Sequence, residues 1–521
     1  MGVKKNMMKS IKRALISVSD KNKLNFLIKN LQKYNIEIIS TGGTFKKIKK
    51  SGFKCTEISE YTNSPEILNG RVKTLHPKIH GGILSERKNS QHIKDLKKMS
   101  IKEIDLIVVN FYPFEEIINN TKNEKKIIEN IDIGGPTLAR AAAKNFENVT
   151  IIPSINYYKE LVEELKKYNG YTSINFRKKM STEAFLETAY YESMISNYFL
   201  GKYNNYFPFK KTIGLKKVDI LRYGENPHQK AALYSIGGNK LNLNQLSGKK
   251  LSYNNINDIY SSLLISKSLP KNRGTVIVKH ANPCGVSIER DNLKSYQLAL
   301  GCDPISAFGG VISFNFKVNK NLASELNKIF LEVIVANGFD KQAINILKKR
   351  KNLRLIDSSK LNFNEVYNFI SKFNSILIQS SDIKKLSKRD FVVASKIRPN
   401  KETFESLMFA FNVCRHVNSN AIVLAAGNST VGIGSGQPSR IDSCEIAIKK
   451  MNKFQRLSDK QEICAASDAF FPFVDGIEKL VQSGVSAVIQ PSGSVRDKEI
   501  IKFANKAGIV LIFSKTRHFK H

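Results

Sequence analysis

The stretch RALISVSDKNKLNFLIKNLQKYNIEIISTGGT, residues 13–44, decides the fold of the first part of the chain. The apolar run Arg13–Val18 predicts a buried strand, and the periodic pattern at Lys23–Tyr34 predicts an amphipathic helix. Glu37–Ser40 predicts a second short strand. Strands that alternate with helices form a parallel sheet covered by helices, and the ligands of such sheets bind at the carboxyl ends of the strands.

The same rhythm continues beyond this stretch. A helix is predicted at Thr44–Ser51, with Gly52 at its carboxyl end, and a further buried strand at Asp105–Asn110. Helical sequence rich in Tyr, Phe, Glu and Lys follows over Tyr157–Tyr203. The N-terminal part is therefore predicted to be an α/β domain with a doubly wound parallel sheet.

The pattern breaks up at Asn204–Lys217, where Pro208 and Gly214 interrupt polar and basic sequence. We place the domain boundary there and expect one domain over 1–206 and a second over 207–521. The second part is also α/β, with helices such as Asp497–Lys506, and its ~310 residues are enough for two subdomains. Its predicted strands are Thr275–Lys279, Val311–Phe314, Ala421–Ala425, Val485–Gln490 and Ile509–Phe513.

Two polar loops follow the first two strands. Ser17–Lys21 (Ser-Val-Ser-Asp-Lys) and Thr41–Thr44 (Thr-Gly-Gly-Thr) each lead into a predicted helix. Glycines let backbone N–H groups approach an anion, and the helix N-terminus adds a favourable dipole. A phosphate group is the ligand this arrangement suits, although a plain strand-to-helix turn has the same residues.

Three further segments concentrate polar chemistry. Gly70–Pro77 (Gly-Arg-Val-Lys-Thr-Leu-His-Pro) brings Arg, Lys, Thr and His together, and Asn110–Pro113 adds a tyrosine hydroxyl at a strand end. Ile131–Thr137 (Ile-Asp-Ile-Gly-Gly-Pro-Thr) leads into an Ala-rich helix on which Arg140 and Lys144 share a face. That pair is either a site or a solvated face.

The second part opens with Leu221–Gln229, where an Arg-Tyr pair beside a glycine suits recognition of a phosphate and a base. The strand at Val276 ends in Lys279-His280, before a turn at Asn-Pro-Cys-Gly. A histidine acts as a base near neutral pH, and a neighbouring ammonium group lowers the pKa of the imidazole and stabilises an oxyanion. A single histidine at a strand end is more often structural, so both interpretations stay open here.

The remaining motifs are Asp303–Gly310, Asn418–Ala421, Gly432–Arg440, Ser467–Asp475, Gln490–Asp497 and the basic tail Lys515–His521. The alternating glycines of Gly432–Arg440 suit a phosphate cradle, but the Gly-Lys-Ser/Thr of a nucleoside-triphosphate loop is absent from them. Ser467–Asp475 joins aromatic residues to an acid, as a ligand pocket or the edge of a core strand does.

Together the motifs of the first part resemble the IMP cyclohydrolase domain of the bifunctional AICAR transformylase/IMP cyclohydrolase family. The resemblance implies a methylglyoxal-synthase-like fold that binds a nucleotide monophosphate. The implied phosphate-binding residues are Ser19, Asp20, Lys21, Thr41, Gly42, Gly43 and Thr44. The implied nucleotide contacts are Arg71, Val72, Lys73, Thr74, Asn110, Tyr112, Asp132 and Ile133. For the ring closure, Lys144, Lys73, Tyr112 and Asp132 are the implied catalytic residues, and the sequence does not rank them.

The later motifs resemble, in order, the AICAR transformylase domain of the same family, so the resemblance covers nearly the whole chain. It implies a pair of cytidine-deaminase-like α/β subdomains. It also implies that a formyl group passes from the cosubstrate 10-formyltetrahydrofolate to the 5-amino group of AICAR, and that the first domain closes the product FAICAR to IMP. Lys279 is then the transition-state stabiliser and His280 the proton acceptor.

The resemblance assigns further residues of the second part to the two substrates. The implied AICAR-binding residues are Arg222, Tyr223, Gly309, Asn420, Arg440, Phe470 and Arg517, and those beside the formyl-folate are Ile441, Asp475, Ser492 and Gly493. Which of the phenylalanines 470 and 471 contacts the ring stays open. A homodimer with transformylase sites at the subunit interface is implied as well.

Composition sets the expected partners and compartment. The net charge is +38, which is typical of nucleic-acid binding, but the lysines are spread over the whole chain and nucleic-acid-binding motifs are absent. We therefore expect anionic small-molecule substrates and no nucleic acid. Six scattered cysteines without a Cys-x-x-Cys pair indicate neither disulfides nor a metal site. Without a long apolar run or a signal peptide, the protein is expected in the cytoplasm and away from membranes.

Two alternatives come from other classes. A zinc deaminase requires His-x-Glu and Pro-Cys-x-x-Cys, whereas Asn282 stands where the Glu belongs and Ser287 where the second Cys belongs. The other alternative is a nucleic-acid-binding protein that has kept an enzyme fold. Tight, salt-dependent binding to duplex DNA without turnover would favour it.

Overall fold

The computed structural model describes residues 8–203, 206–237, 243–361, 367–455 and 461–521, which form two compact units. The first unit contains the described residues up to Lys217 and the short return Tyr234–Gly237. The second contains Val218–Leu233 and the described residues from Leu243 onwards. The units thus change at 217/218, whereas the sequence placed the boundary at 206/207. Asn204 and Asn205 of the predicted boundary segment, and the N-terminal residues 1–7, lie outside the described residues.

The described part of the first unit alternates strands and helices from its beginning. Its strands are β1 (Met8–Ser10), β2 (Arg13–Val18), β3 (Glu37–Ser40), β4 (Thr56–Glu57), β5 (Leu106–Asn110), β6 (Thr150–Ile152) and β7 (Tyr171–Ser173). Its helices are α1 (Leu24–Gln32), α2 (Gly42–Lys50), α3 (Ile58–Thr62), α4 (Pro77–Leu84), α5 (Ser90–Lys98), α6 (Phe114–Asn120), α7 (Glu124–Glu129), α8 (Gly134–Lys144), α9 (Tyr158–Lys167) and α10 (Ile174–Lys202).

The central sheet of this unit has five parallel strands in the order β4-β3-β2-β5-β6, and β1 pairs separately with β7. The apolar residues that predicted β2 are buried in the sheet, and α1 buries Leu24, Leu27, Ile28 and Leu31 at helical spacing. Burial of each such side chain contributes about 2 kcal/mol. The doubly wound parallel sheet predicted from residues 13–44 is confirmed.

The rest of the chain is longer and richer in strands. Its strands are β8 (Leu215–Ile220), β9 (Ala232–Ile236), β10 (Asn244–Ser247), β11 (Gly274–Lys279), β12 (Asn282–Ile288), β13 (Val311–Phe314), β14 (Val333–Ala336), β15 (Arg354–Asp357), β16 (Tyr367–Lys372), β17 (Ser375–Ser380), β18 (Phe391–Val393), β19 (Ile422–Ala426), β20 (Ser429–Gly434), β21 (Ile463–Ser467), β22 (Val485–Pro491) and β23 (Val510–Ser514). Its helices are α11 (Tyr253–Ser268), α12 (Asn292–Cys302), α13 (Pro304–Ala307), α14 (Lys320–Leu326), α15 (Lys341–Leu347), α16 (Lys401–Cys414), α17 (Arg440–Phe454), α18 (Val474–Gln482) and α19 (Asp497–Ala507).

The second unit consists of two copies of one arrangement. Its main sheet has the order β10-β15-β14-β13-β11-β12-β20-β19-β21-β22-β23-β18, which reads the same way from either end. In each half a helix (α11 or α16) precedes a tight hairpin, a second helix and three parallel strands, and an antiparallel strand closes the edge. The halves meet where β12 pairs with β20. The expected pair of α/β subdomains is confirmed by this topology.

The structure corrects the interpretation of the glycines in Gly432–Arg440 as a phosphate cradle. Residues Gly432 and Gly434 lie inside the buried strand β20, not in a phosphate loop. A Cβ atom at Gly434 would lie 1.9 Å from the carbonyl oxygen of Ser443, and one at Gly432 would lie 2.2 Å from that of Ala447. The glycines are therefore needed so that α17 packs closely on β20. Gly285 in β12 plays the same part. Glycine and proline are rare in strands, so sequence patterns do not predict β12 and β20 as strands.

Candidate active sites

In the first unit, Asn110 at the end of β5 fixes the loop that follows β2. Its side-chain oxygen accepts hydrogen bonds from the backbone N–H groups of Ser19 (2.7 Å) and Asp20 (2.9 Å), and its amide nitrogen donates to the carbonyl of Asp20 at 3.0 Å. Since β2 and β5 are adjacent and parallel, both loops lie at the carboxyl edge of the sheet. The position is the one expected for a ligand in such a sheet.

The neighbouring loop after β3 presents a helix N-terminus. The Thr44 hydroxyl donates to the carbonyl of Val18 at 2.9 Å, and the hydroxyls of Ser17 and Thr41 are 3.1 Å apart. α2 begins at Gly42, and the side chain of its N-cap residue Thr41 makes no capping hydrogen bond. The N–H groups of Thr44 and Phe45 donate to the carbonyl of Thr41, so those of Gly42 and Gly43 are the donors that α2 offers to an anion.

Two lysine ammonium groups lie beside this helix N-terminus. A Cβ atom at Gly42 would lie 3.0 Å from Nζ of Lys73, and one at Gly43 would lie 3.9 Å from Nζ of Lys21. Lys73 also forms an ion pair with Glu66 at 3.3 Å. Backbone N–H donors and two cations at one point form an arrangement that suits a phosphate group.

The loop before α8 supplies a carboxylate at the same edge. The carboxylate of Asp132 accepts the N–H of Gly135 at 2.8 Å, and its own backbone N–H donates to the hydroxyl of Tyr191 at 2.8 Å. Burial raises the pKa of Asp132, while the N–H groups of Gly135 and Tyr112 oppose the rise. A Cβ atom at Gly134 would lie 2.8 Å from the hydroxyl of Thr74, which brings the segment before α4 to this loop.

The other residues implied for this site differ in exposure. The side chains of Tyr112 and Ile133 are largely exposed beside the loop. Arg71 is exposed and paired with Glu129, and Val72 bridges to Ile67. Lys144 is exposed in the last turn of α8, ~15 Å along the helix axis from Gly134 at 1.5 Å per residue. The contacts at the sheet edge therefore gather the other motifs, while Lys144 stands at the far end of α8.

In the second unit a cavity of about 420 Å³ opens beside the N-terminus of α17. Its lining includes six of the residues implied by the resemblance: Asn420, Arg440, Ile441, Phe470, Asp475 and Arg517. The rest of the lining is rich in aromatic residues and includes Phe473 and Phe519. Aromatic walls with a few convergent polar groups are typical of small-molecule sites.

Arg440 is held in the cavity wall by three partners. Its guanidinium donates to the side-chain oxygen of Asn420 at 2.7 Å and to the hydroxyl of Ser467 at 2.7 Å, and it forms an ion pair with Asp468. The side chains of Arg440 and Asp468 are 8% and 0% exposed. Asp468 was not identified from the sequence, because its pairing with Arg440 spans 28 residues and has no local signal.

The two phenylalanines that the sequence could not distinguish, Phe470 and Phe471, differ in their position relative to the cavity. Phe471 is 1% exposed and belongs to the core between α17, α18 and the sheet. The ring of Phe470 is only half-buried and lines the cavity. At the rim, the Arg496 guanidinium lies 4.6 Å from the ring of Phe473, which brings the loop of Ser492 and Gly493 near the cavity.

Lys279 and His280 occupy the hairpin between β11 and β12, next to the cavity wall. The ammonium group of Lys279 donates to the carbonyl of Phe308 at 2.8 Å, beside Gly309. The hairpin joins the wall where the N–H of Asn418 donates to the side chain of Asn282 at 3.0 Å, two residues before Asn420. The lining of the cavity itself does not include Lys279 or His280 among the described residues.

Two more features complete the surroundings of this hairpin. Asp258 in α11 accepts the N–H of Ala281 at 2.7 Å, a contact that spans 23 residues and was missed in the sequence. The Arg222 guanidinium lies 5.3 Å from the ring of Tyr223, and their loop joins α11 through a hydrogen bond from Asn254 to the carbonyl of Glu225 (3.2 Å).

Cys284 is buried in β12. Burial raises the pKa of its thiol to about 12. In the part of the chain that the structure describes, no group of three or more His, Cys, Asp or Glu side chains is arranged to hold a metal ion. Over the same residues, no helix is both long and apolar enough to cross a bilayer.

Both units have an α/β fold, and each contains a candidate small-molecule site. Residues 142–450 match the model of the AICARFT/IMPCHase bienzyme family, and residues 23–137 match that of the MGS-like domain. The bifunctional purine biosynthesis protein PurH of Persephonella marina is 44% identical over 523 residues, 98% of this chain and 100% of that protein. PurH of Bradyrhizobium diazoefficiens is 43% identical, over 98% of this chain and 99% of its own length. PurH of Oceanobacillus iheyensis is 41% identical, over 98% and 100%.

The chain belongs to the AICARFT/IMPCHase bienzyme family. Its function is therefore that of the last two steps of IMP synthesis, the formylation of AICAR and the cyclisation of FAICAR. The family, fold and enzyme class expected from the motifs are confirmed.

Proposed function

We propose that the second unit transfers the formyl group of 10-formyltetrahydrofolate to AICAR, and that the first unit closes FAICAR to IMP. The observation that carries this assignment is the cavity beside α17, whose lining includes six of the residues that the motifs implied. The carboxyl edge of the five-stranded sheet supplies the separate phosphate site that a second nucleotide substrate needs.

AICAR is bound in the cavity through groups that match its parts. Arg440 and Arg517 provide cations for the phosphate, Asn420 provides an amide for hydrogen bonding, and the ring of Phe470 provides a face for the imidazole. Arg222, Tyr223 and Gly309 extend the site towards the hairpin that carries Lys279.

The formyl-folate cosubstrate lies along the other side of the cavity. The carboxylate of Asp475 is an acceptor for ring N–H groups, and Ile441 and Phe473 offer apolar surface to a flat heterocycle. Ser492 and Gly493 border this side, where the rim residue Arg496 faces the glutamate tail. A donor that is flat, aromatic and anionic at one end fits these residues.

The transfer needs help because the carboxamide of AICAR withdraws electrons from the attacking amine. As the amino nitrogen attacks the formyl carbon, His280 accepts its proton and the Lys279 ammonium stabilises the oxyanion. The bond from the formyl carbon to the folate nitrogen then breaks, and that nitrogen takes up a proton. Lys279 is held for this task by the carbonyl of Phe308 at 2.8 Å.

Ring closure in the first unit needs no cofactor. The carboxamide nitrogen of FAICAR attacks the formyl carbon, and the oxygen leaves as water after proton transfer. The phosphate is bound at the N-terminus of α2, with Lys21 and Lys73 as cations. Asp132, whose pKa is raised by burial, lies within reach of Tyr112 and suits proton transfer. Lys73, Tyr112 and Lys144 are the other groups proposed for this step.

The protein is proposed to act as a homodimer. The hairpin β16-β17 exposes Ile370, Phe373, Ile376 and Leu377, and the ring of Phe373 is fully exposed. A contiguous apolar surface of this kind marks a protein interface, and a second copy of the chain is its natural partner. The working form is then a cytoplasmic dimer with small-molecule substrates, without nucleic acid or membrane as partners. Light scattering should give twice the chain mass, and Phe373→Asp with Leu377→Asp should give the monomer.

The test of the two assignments is to supply AICAR and 10-formyltetrahydrofolate and to measure IMP. His280→Ala should block formyl transfer and still cyclise supplied FAICAR, and Lys144→Ala should do the reverse. Each variant carries its own control, because the untouched activity reports on folding. Formation of IMP from AICAR at the normal rate by His280→Ala would contradict the assignment.

A further inference from the structure

The turn that carries His280 has an unusual backbone for its residues. β11 and β12 are joined by two residues, His280 and Ala281, with φ values of 51° and 59°. Two-residue hairpins of this kind favour Asn-Gly or Gly-containing pairs, because only such residues adopt left-handed φ easily. A histidine followed by an alanine does not select this turn by itself.

The other half of the second unit also has a two-residue connection at the corresponding place, with a different backbone shape. β19 and β20 are also joined by two residues, and these are Gly427 and Asn428. In that turn the left-handed position, with a φ of 56°, is occupied by Gly427, whereas the turn that carries His280 places two residues with a Cβ atom at left-handed φ and needs outside support. The structure provides that support through contacts to the peptide groups of the turn.

Three side chains hold the peptide groups around His280 and Ala281. The Ala281 N–H donates to the carboxylate of Asp258 at 2.7 Å, and Asn282 donates to the carbonyl of His280 at 3.3 Å. The carbonyl of Ala281 accepts a hydrogen bond from the ammonium group of Lys520 at 3.2 Å. An anion on the N–H side and a cation on the C=O side thus hold Ala281 from both directions.

Lys520 is well placed to hold the turn firmly, although it lies 239 residues further along the chain. Its ammonium group also donates to the carbonyl of His416 at 3.0 Å. Its backbone pairs with Ser419, whose N–H donates to the carbonyl of Lys520 at 2.9 Å. The tail that carries Lys520 is thereby anchored on the segment that leads to Asn420 in the cavity wall.

We propose that Lys520 is a positioning residue for formyl transfer, because its ammonium group holds the Ala281 carbonyl and so fixes the turn that presents Lys279 and His280. This inference rests on the proposed function of that turn. Lys520 does not touch the reacting atoms in this role. Its hydrogen bond links the basic C-terminal segment to the hairpin, so this lysine affects formyl transfer through the position of the turn.

The test uses the full-length chain and three variants. Lys520→Met removes the donor and keeps the length of the side chain, Lys520→Arg keeps a donor, and Lys515→Met is the matched control on an exposed lysine of the same tail. Misplacement of a catalytic group by ~1 Å lowers a rate by about 100-fold. We therefore expect Lys520→Met to lower kcat of formyl transfer by ~10- to 100-fold with KM for AICAR changed by less than about twofold. Lys520→Arg should recover most of the rate.

Cyclisation of supplied FAICAR should stay normal in all three variants, since the first unit is untouched. Equal transferase kcat in Lys520→Met and Lys515→Met would overturn the proposal, and so would a loss confined to KM. If Lys520→Met loses both activities through unfolding, the arginine variant decides. A folded Lys520→Arg with near-normal transfer supports the role, and one as slow as Lys520→Met refutes it. If the proposed function itself is wrong, the unmodified chain makes no FAICAR, and this result is distinguishable from a failure of the role proposed for Lys520.

Discussion

Replacing Asp468 by asparagine tests how the second unit holds Arg440 in the wall of its cavity. The carboxylate is fully buried, and it is the charge partner of an arginine that is 8% exposed. Removal of one member of a buried ion pair leaves the other charge uncompensated and costs about 3–5 kcal/mol. Because Asn420 and Ser467 still accept hydrogen bonds from Arg440, we expect the lower end, about 3 kcal/mol.

The assays are urea unfolding and steady-state kinetics of both activities. A loss of about 3 kcal/mol lowers Tm by roughly 5 °C for a unit of about 300 residues. Arg440 also loses its fixed orientation, so KM for AICAR should rise by about tenfold or more, which corresponds to one charge-assisted hydrogen bond. Cyclisation of FAICAR should be unchanged. Asp442→Asn, an exposed aspartate two residues from Arg440, is the matched control. A stability loss below about 1 kcal/mol, together with a normal KM, would refute the reasoning.

Three further outcomes are expected. Gly434→Ala should destabilise the second unit by about 3 kcal/mol in urea unfolding, since the added methyl would meet the Ser443 carbonyl at 1.9 Å, while Gly201→Ala, with open space around it, should not destabilise. Lys21→Ala should raise KM for FAICAR by about tenfold without changing formyl transfer, and an unchanged KM would remove it from the phosphate site. Burial raises the pKa of Asp132, so if its carboxylate is the base, kcat/KM for cyclisation should fall as the pH drops through a value above the ordinary 3.8. Asp132→Asn should abolish that acidic limb.

The two halves of the second unit contribute different groups to the proposed transferase site. They share a topology, yet the first half supplies the hairpin of Lys279 and His280 and the second half supplies the cavity. At corresponding places after β13 and β21 stand Asn315 and Asp468. Asn315 accepts the N–H groups of Arg273 and Gly274, which closes the first half at this point, whereas Asp468 pairs with Arg440. Corresponding positions therefore hold a neutral amide in one half and a carboxylate with an arginine partner in the other.

Much of the fold follows from the sequence alone, because its elements have local causes. Apolar runs of strand length and helical periodicity predicted β2, β3, β5 and α1 within a residue or two, and glycine at a helix end predicted the stop of α2 near Gly52. The loops at strand ends predicted a candidate site in each unit, since parallel strands bring their carboxyl ends to one edge. The strands β12 and β20 were missed, because their proline and glycines are typical of turns and only the packing of α12 and α17 explains them.

The sequence by itself determined the family through its motifs, the position of many strands and helices, and which residue types are candidates for the chemistry. Tertiary structure alone decided which groups hold them in place. Asp258, Asp468 and Lys520 act on partners 23, 28 and 239 residues away, and such contacts leave no trace in a local pattern. It also decided that Phe470 faces the cavity while Phe471 enters the core, because two adjacent rings of the same type differ only in the direction in which the folded backbone points them.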